Sequence, residues 1–297
     1  MGDPIAGRIL FVRDAAIWLW QGERARLLLG DGATQPSWAP DGTRFAFVQR
    51  GNSFSDVLLA TNAGEVIAQL TFNESQQAPN SFARAYESVW AFYPAWSPDG
   101  QEIVMASQAS PPVGDPAAEY NLALYVLPVG DGAQRPLFAG DTVHSGRAHY
   151  ARDGSGLVFA AVPTAADGTS QLYWLDFSSG IHTPLAGLPQ PAYDPALSPD
   201  GAWLIFAAAS AAGVDIFATT PDGTEAIQLS QHGSARAPVF SPDGTQVAFL
   251  AAAPGTGFDL WLADFSLDEQ GFPSLGQPRR ISDGLNLDPD GGLSWAP

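Results

Sequence analysis

The sequence of 297 residues predicts an all-β fold, a six-bladed β-propeller of four-stranded antiparallel blades. One phrase, Pro-x-aromatic-Ser/Ala-Pro-Asp-Gly, recurs, with leucine replacing the aromatic residue once, and a strand of alternating apolar residues follows each copy. The copies begin at Pro36, Pro94, Pro195 and Pro238. Repetition at about the spacing of one four-stranded sheet is typical of a radial repeat architecture. The 31 glycines and 25 prolines favour short strands joined by tight turns.

The second blade serves as the template for the elements of the others. Its inner strand ends at Trp38, the turn Ala39 to Gly42 follows, and three further strands are predicted at residues 44–48, 56–60 and 65–70. In the turn, proline sets φ, aspartate accepts hydrogen bonds from backbone amides, and glycine adopts a positive φ. We therefore interpret the recurring aspartates as structural.

Two incomplete copies complete the count of blades. A degenerate copy of the phrase at residues 148–154 belongs to the fourth blade, and residues 293–297 are the first half of a sixth copy. The first predicted strand, residues 8–12, has the pattern of the second strand of a blade, and no inner strand precedes it. The C-terminal inner strand is therefore expected to join the N-terminal blade. This pairing closes the ring and hides its edge strands. The chain is then one domain, with blades at residues 6–30 plus 291–297, 34–72, 91–140, 146–187, 193–230 and 236–282.

Composition excludes several classes of partner. The formal charge is −18, and all 13 basic residues are arginine, so no basic patch is available for a nucleic acid or an anionic membrane. The chain has no cysteine and no stretch that is long and apolar enough for membrane insertion. The first residues, Met1 to Pro4, lack the pattern of a signal peptide. The chain is either cytoplasmic or a secreted domain whose leader was removed.

The repeated Trp-Ser-Pro-Asp-Gly phrase resembles the WD-repeat-like repeats of TolB β-propeller domains. The resemblance covers essentially the whole chain. It implies a six-bladed propeller, an extracytoplasmic location (periplasmic or secreted), and a role in protein or ligand binding. We expect a monomer.

Strand order places nearly all long loops on the face opposite the Pro-Asp-Gly turns. Long loops on one face of a rigid scaffold are where binding surfaces are normally built. We name this the long-loop face, and its predicted insertions are residues 71–91, 109–120, 140–146, 163–170, 252–257 and 282–291.

The richest insertion offers Arg84, Tyr86 and Trp90, which are residue types enriched at binding hot spots. The alternative is a short helix in which Phe82, Tyr86 and Trp90, spaced four apart, pack onto the propeller. Arg84 and Glu87 would then stay exposed.

A second group of candidates surrounds the mouth of the central channel, at the start of the inner strands. The ring mixes charged, aromatic and histidine side chains, which suits a polar ligand or a peptide. Its candidate binding residues are Tyr93, Arg147, His149, Tyr193, Asp194 and Arg236. The alternative is that Arg147 and Asp194 merely pair between adjacent blades.

Asn286, Asp288 and Asp290 match the opening of a calcium-binding loop, with alternating oxygen ligands followed by Gly291. The bidentate glutamate of such loops is missing, since Pro297 holds its position. The alternative is an aspartate-rich turn leading into the closing strand.

Two classes of function remain. In the first, the propeller is a non-catalytic binding or scaffolding module that recognises a protein, a peptide, a polar small molecule or a carbohydrate, with no cofactor apart from the calcium considered above. The second is a carbohydrate-active enzyme, a polysaccharide lyase or hydrolase, with a metal-assisted site at the channel mouth. Oligogalacturonate lyases are similar propellers with a histidine-rich metal site in the channel, and His144, His149 and His232 are expected in channel-side loops here. No Gly-x-Ser-x-Gly motif is present, and we favour the binding module.

Overall fold

The computed structural model describes residues 5–108, 122–130, 132–138, 143–163, 168–253 and 255–297. Within these residues the chain forms six antiparallel sheets arranged as successive blades of a ring. The predicted loop at residues 109–120, parts of those at 140–146, 163–170 and 252–257, and residues 1–4 lie outside the described residues.

The first three blades follow the predicted order of strands. Blade one contains β1 (Ile5–Arg13), β2 (Ala16–Gly22) and β3 (Arg24–Leu29). Blade two contains β4 (Ala33–Trp38), β5 (Arg44–Arg50), β6 (Ser55–Thr61) and β7 (Val66–Gln69). After the helix α1 (Phe82–Glu87), blade three contains β8 (Ala91–Trp96), β9 (Glu102–Gln108), β10 (Leu122–Pro128) and β11 (Arg135–Phe138).

The other three blades repeat this pattern, except that the outermost position of blade six is divided between two short strands. Blade four contains β12 (Val143–Tyr150), β13 (Gly156–Pro163), β14 (Gln171–Asp176) and β15 (His182–Pro184). Blade five contains β16 (Ala192–Leu197), β17 (Leu204–Ser210), β18 (Gly213–Thr219) and β19 (Ile227–Gln228). Blade six contains β20 (Arg236–Phe240), β21 (Gln246–Ala252), β22 (Phe258–Leu267), β23 (Pro273–Leu275) and β24 (Arg279–Arg280), and the chain ends in β25 (Ser294–Ala296).

The predicted closure of the ring is confirmed. Strand β25 is the inner strand of blade one and pairs antiparallel with β1, with Trp295 opposite Ile9. The Trp295 ring is only 8% exposed, and its Nε1 donates a hydrogen bond to the carbonyl of Ala6 at 2.9 Å. The C-terminal strand therefore contributes both backbone pairing and a core side chain to the N-terminal blade.

The aspartates of the Pro-Asp-Gly turns have the structural role that the sequence predicts. Asp99 Oδ1 accepts hydrogen bonds from the Ser97 hydroxyl at 2.7 Å and from the Gln101 amide at 3.0 Å. The glycine that follows, Gly100, has a φ of 69°. These hydrogen bonds lower the pKa of Asp99, and the aspartates of the other copies show the same direction of shift. The turns thus stay ordered without contributing to the channel mouth.

Three buried aspartates, which the sequence analysis did not single out, fix loops on the long-loop face. They stand at the start of the third strand in blades two, five and six, and each accepts a hydrogen bond from a hydroxyl just after the fourth strand; the pairs are Asp56 with Thr71, Asp215 with Ser230, and Asp259 with Ser282. Asp259 also accepts from the amides of Gly284 and Leu285, at 3.0 and 3.1 Å. This aspartate therefore fixes the base of the loop that leads to the channel mouth.

Replacing Trp295 by alanine is expected to reduce the free energy of unfolding by about 3–5 kcal/mol, because a buried indole and its hydrogen bond are lost. Urea denaturation followed by tryptophan fluorescence measures the change. Phe272→Ala is the control: that ring is 52% exposed on the β22–β23 hairpin, and a change within about 0.5 kcal/mol is expected. A loss for Trp295→Ala as small as that of the control would show that the closing strand adds little to stability.

Candidate binding site at the channel mouth

A channel with a volume of about 530 Å³ runs along the axis of the propeller between the six inner strands. Its lining includes Gln35, Tyr93, Arg147 and Asp194 at the long-loop end, and proline side chains at the end of the Pro-Asp-Gly turns. Several residues of the predicted ring are therefore brought together around one opening.

Irregularities in the inner strands position the mouth residues. In blades two to six, pairing with the second strand skips two residues at the start of each repeat, as between Thr34 and Ser37 in β4. In four of these blades the first skipped residue has a φ of 51–54°, although none is glycine; they are Gln35, Tyr93, Asp194 and Ala237. Such a conformation costs on the order of 1–3 kcal/mol per residue and persists only where the surrounding structure enforces it.

The skipped residues also connect neighbouring blades. The Tyr93 amide donates a hydrogen bond to Oε1 of Gln35 at 2.8 Å. The Ala237 amide donates to Oδ2 of Asp194 at 3.0 Å. At these two places, a side chain of one blade accepts a hydrogen bond from a backbone amide of the next blade.

Asp194 is the centre of an ion-pair cluster at the mouth. Its side chain is 6% exposed and pairs with Nε of Arg236 at 2.6 Å and with Nε of Arg147 at 3.5 Å. Burial alone would raise the pKa of this carboxyl, but the two guanidinium groups and the Ala237 amide outweigh burial and lower it. The predicted pairing of Arg147 with Asp194 is confirmed, and Arg236 is a second partner that the pairing alternative did not include.

Both arginines lie over tyrosine rings. The guanidinium carbon of Arg147 is 4.9 Å from the centre of the Tyr93 ring, and that of Arg236 is 4.8 Å from the centre of the Tyr193 ring. A cation over an aromatic face is stabilised by the quadrupole of the ring. The side chains of Arg147 and Arg236 are 20% and 23% exposed, so both are held in place while part of each faces solvent.

Arg147 also reaches across the channel. It belongs to blade four, and its NH2 group donates to the carbonyl of Asp290, at 3.0 Å, on the loop leading into the inner strand of blade one. Gly292 leaves room for this contact, because a Cβ at that position would lie 2.4 Å from NH1 of Arg147. The carboxylate of Asp290 accepts from NH2 of Arg236 at 3.2 Å. Four charged residues, Arg147, Asp194, Arg236 and Asp290, thus form what we name the mouth cluster.

Among the described residues that line the channel, His149 is the one histidine. Its Nδ1 lies 3.1 Å from the carbonyl of Tyr150; a carbonyl only accepts, so this hydrogen bond places the proton on Nδ1 and leaves Nε2 as an acceptor. Burial lowers the pKa of His149, although the hydrogen bond to Tyr150 opposes the shift. The imidazole is therefore neutral at neutral pH.

The other two histidines expected beside the channel have different surroundings. His232 packs edge-on against Phe249 and Trp261, with ring centres 5.3 and 4.8 Å apart. His144 accepts a hydrogen bond from the Leu122 amide at 3.3 Å. Of the three histidines, only His149 is among the described residues that line the channel, and the His232 amide donates to buried Asp215. A histidine-rich metal site at the mouth stays a prediction.

The insertion of residues 71–91 contains the predicted short helix, but its packing differs from the prediction. Ser81 caps the helix by accepting from the Arg84 amide at 3.1 Å. The helix ends before Trp90, whose ring stacks on Phe92 with an interplanar angle of 2°. Phe82 is 73% exposed and contacts the Tyr86 ring at 4.9 Å between centres.

The expected exposure of Arg84 is wrong, because its side chain is 16% exposed and holds the insertion together. Its guanidinium donates to the carbonyl of Ser75 at 3.0 Å, to the Ser53 hydroxyl at 3.1 Å and to Glu74 at 3.0 Å. Glu87 is exposed as expected, and it accepts from Ser75 and Gln77 of the same insertion. These contacts stabilise the loop that leads into β8 and Tyr93.

The residues of the calcium hypothesis form a turn next to the mouth. Oδ1 of Asp288 accepts from the Asp290 amide at 2.9 Å, and Asn286 has a φ of 52°. Asp290 pairs with Arg236, as described above. Among the described residues, no three His, Cys, Asp or Glu side chains lie close enough together to share a metal ion. Calcium binding through Asn286, Asp288 and Asp290 stays a prediction.

The ring of six blades and the channel define the protein as a closed β-propeller. The family model of the TolB beta propeller domain matches residues 83–270, and the chain belongs to this family. In the described part of the chain, no helix has the length and apolar character needed to cross a membrane.

Two solved structures share the fold over the whole chain. TolB from Acinetobacter baumannii superposes with a TM-score of 0.70 and 20% identity, covering 100% of this chain and 68% of that one. The putative TolB from Agrobacterium tumefaciens superposes with a TM-score of 0.61 and 18% identity, covering 100% of both chains.

One curated protein is related to this chain by sequence. This relative, the uncharacterized peptidase YuxL of Bacillus subtilis (strain 168), is 26% identical over 180 residues. The match covers 59% of this chain and 22% of that relative, so the chain spans about a fifth of its length.

Replacing Asp194 by alanine is expected to lower the free energy of unfolding by about 3 kcal/mol, because two partly buried arginines lose their shared anion. The control is Asp283→Ala, which removes an aspartate that is 88% exposed and paired with Arg280, and a change below about 1 kcal/mol is expected. Urea denaturation measures both changes. Equal small effects would contradict a central role of Asp194.

The lowered pKa values of His144, His149 and His232, each caused first by burial, predict a loss of stability at mildly acidic pH. Below pH 6.5 the unfolded chain takes up protons on these histidines while the folded chain does not, so the free energy of unfolding decreases as pH falls from 6.5 toward the folded values. Urea denaturation between pH 7.5 and 5.5 tests this. His149→Gln is expected to reduce the slope of the free energy of unfolding against pH, because one of the three histidines with a lowered pKa is removed. An unchanged slope would contradict the contribution of His149.

Proposed function

We propose that the protein is a non-catalytic binding module that recognises a peptide segment of a partner, or a polar ligand, on the long-loop face around the channel mouth. The observation that supports this most is the fixed position of Arg147 and Arg236 over the rings of Tyr93 and Tyr193. Arginine and tyrosine are among the residue types that contribute most at binding hot spots.

The fixed geometry of these side chains favours binding. Arg147 contacts Tyr93, Asp194 and the carbonyl of Asp290, so its rotamer is restricted before any ligand arrives. Immobilising a long side chain on binding costs about 0.5–1.5 kcal/mol, and a side chain that is already ordered avoids most of this cost. The mouth cluster therefore presents donors to a ligand at a small entropic penalty.

Aromatic rings extend the candidate surface outward from the mouth. Trp90 stacks on Phe92, and the Phe92 ring lies 5.9 Å from that of Tyr93, which in turn contacts Arg147. All three rings are partly exposed. Such a line of rings, ending at a charged group, suits an extended peptide that has apolar side chains and one polar anchor.

Selection of a random twelve-residue peptide library on the immobilised protein tests the proposal. Selected peptides are expected to bind the Arg147→Gln variant at least tenfold more weakly than the wild type, as measured by fluorescence polarisation, because a hot-spot arginine is lost. Arg152→Gln is the matched control: Arg152 lies at the other end of the channel, donates to the Pro199 carbonyl at 2.8 Å, and its loss should leave affinity unchanged.

Thermal melting of both variants checks that each is folded. Peptides that bind the Arg147→Gln variant as tightly as the wild type would place the binding surface elsewhere and contradict the proposal.

A further inference from the structure

One residue of the chain, Asp290, already accepts hydrogen bonds from both arginines of the mouth cluster. Its main-chain carbonyl accepts from NH2 of Arg147 at 3.0 Å, and its carboxylate accepts from NH2 of Arg236 at 3.2 Å. A single aspartyl residue therefore satisfies two arginines, one through the backbone and one through the side chain.

The two aspartates that contact Arg236 differ sharply in exposure. The side chain of Asp194 is 6% exposed and contacts Nε, whereas that of Asp290 is 71% exposed and contacts NH2. Removing a buried partner leaves an unpaired charge, but an exposed ion pair contributes only about 0–1 kcal/mol. Asp194 is thus a permanent anchor, and Asp290 is a partner that solvent or a ligand can replace.

The loop can release the Asp290 side chain without losing its own structure. Its base is fixed by the Leu287 amide, which donates to the Phe258 carbonyl at 2.8 Å, and by the Asp288 amide, which donates to the Val12 carbonyl at 2.9 Å. Asp290 lies beyond these bonds, next to Gly291 and Gly292. A shift of the turn at Asp290, which takes its carbonyl from Arg147 and its carboxylate from Arg236, therefore needs no change in the strands.

We infer that Asp290 stands in for an acidic residue of the peptide partner: an aspartyl residue of that peptide replaces Asp290 at Arg147 and Arg236, and Asp290 is a built-in competitor. This inference rests on the proposed function and specifies its ligand class. A peptide is favoured over other anions because the present occupant uses a peptide carbonyl together with a carboxylate. Acetate offers only the carboxylate, and a simple inorganic anion offers neither group.

The test uses the capped tripeptide acetyl-Gly-Asp-Gly-amide as probe. Its binding is followed by NMR through the Nε–Hε signals of the arginines, assigned with the Arg147→Gln and Arg236→Lys variants. In the Asp290→Asn variant the competing carboxylate is absent, so the tripeptide is expected to bind about 2- to 5-fold more tightly than to the wild type, the factor that corresponds to an exposed ion pair of up to about 1 kcal/mol. Asp283→Asn removes another exposed aspartate, which pairs with Arg280, and is expected to leave the affinity unchanged.

Three further ligands identify the group that is recognised. Acetyl-Gly-Asn-Gly-amide, sodium acetate and galacturonate, each at the ionic strength of the probe solution, are expected to bind at least fivefold more weakly than the aspartyl tripeptide. Acetate binding equally well would indicate a general anion site, and galacturonate binding equally well would indicate an acidic carbohydrate. Either result overturns the inference.

The same variants separate this inference from the proposed function. Unchanged or weaker tripeptide binding by Asp290→Asn, or no binding by either protein, overturns the role of Asp290. If the library-selected peptides still depend on Arg147 in that case, the binding module remains supported. If those peptides do not depend on Arg147, the proposed function fails whatever the tripeptide does.

Discussion

The pairing of β25 with β1 is the constraint on which the rest of the structure depends. Three residues, Ser294 to Ala296, join the last part of the chain to its first blade and cover an inner strand edge that would otherwise be open. Closure also sets the width of the channel, because it brings the loop before β25 opposite blade four. The contact between Arg147 and Asp290 spans that width, so the arrangement of charges at the mouth follows from how the ring closes.

The mouth combines two kinds of ion pair with different physical roles. Asp194 is buried, and its pKa is lowered by two guanidinium groups despite the cost of burial, so it stays ionised and fixes both arginines. Asp290 is exposed and holds only the outer donors. A strongly acidic protein with a formal charge of −18 thereby keeps two ordered, partly accessible cations at the end of its channel.

Most of the fold could be predicted from the sequence because its signals are local: each Pro-Asp-Gly turn needs its own four residues, and the half copy ending at Pro297 indicates closure. The mouth positions were also predictable, since equivalent residues of each repeat must lie at equivalent places. Contacts between distant segments that do not follow from equivalent positions in the repeat were not predictable. Nothing near Arg147 indicates that it meets Asp290, and the composition around Arg84 suggested exposure although the path of the loop encloses it. The surroundings of His232 were equally hidden, because they depend on a buried aspartate 17 residues earlier.

Four chemically different side chains, those of Gln35, Tyr93, Asp194 and Ala237, share a φ of 51–54° at the start of their inner strands. Glutamine, tyrosine, aspartate and alanine have no common preference for this conformation, but each is followed by proline. In blade four, where Ala148 stands in place of that proline, neither Gly146 nor Arg147 has a positive φ, so the non-glycine residues that adopt the conformation belong to the four blades that keep the proline. At these four positions the same backbone geometry therefore carries four different side chains. The side chain at this one position therefore serves two purposes, because Gln35 and Asp194 each accept a backbone hydrogen bond from the next blade while the residues of the ring also set the charge of the opening.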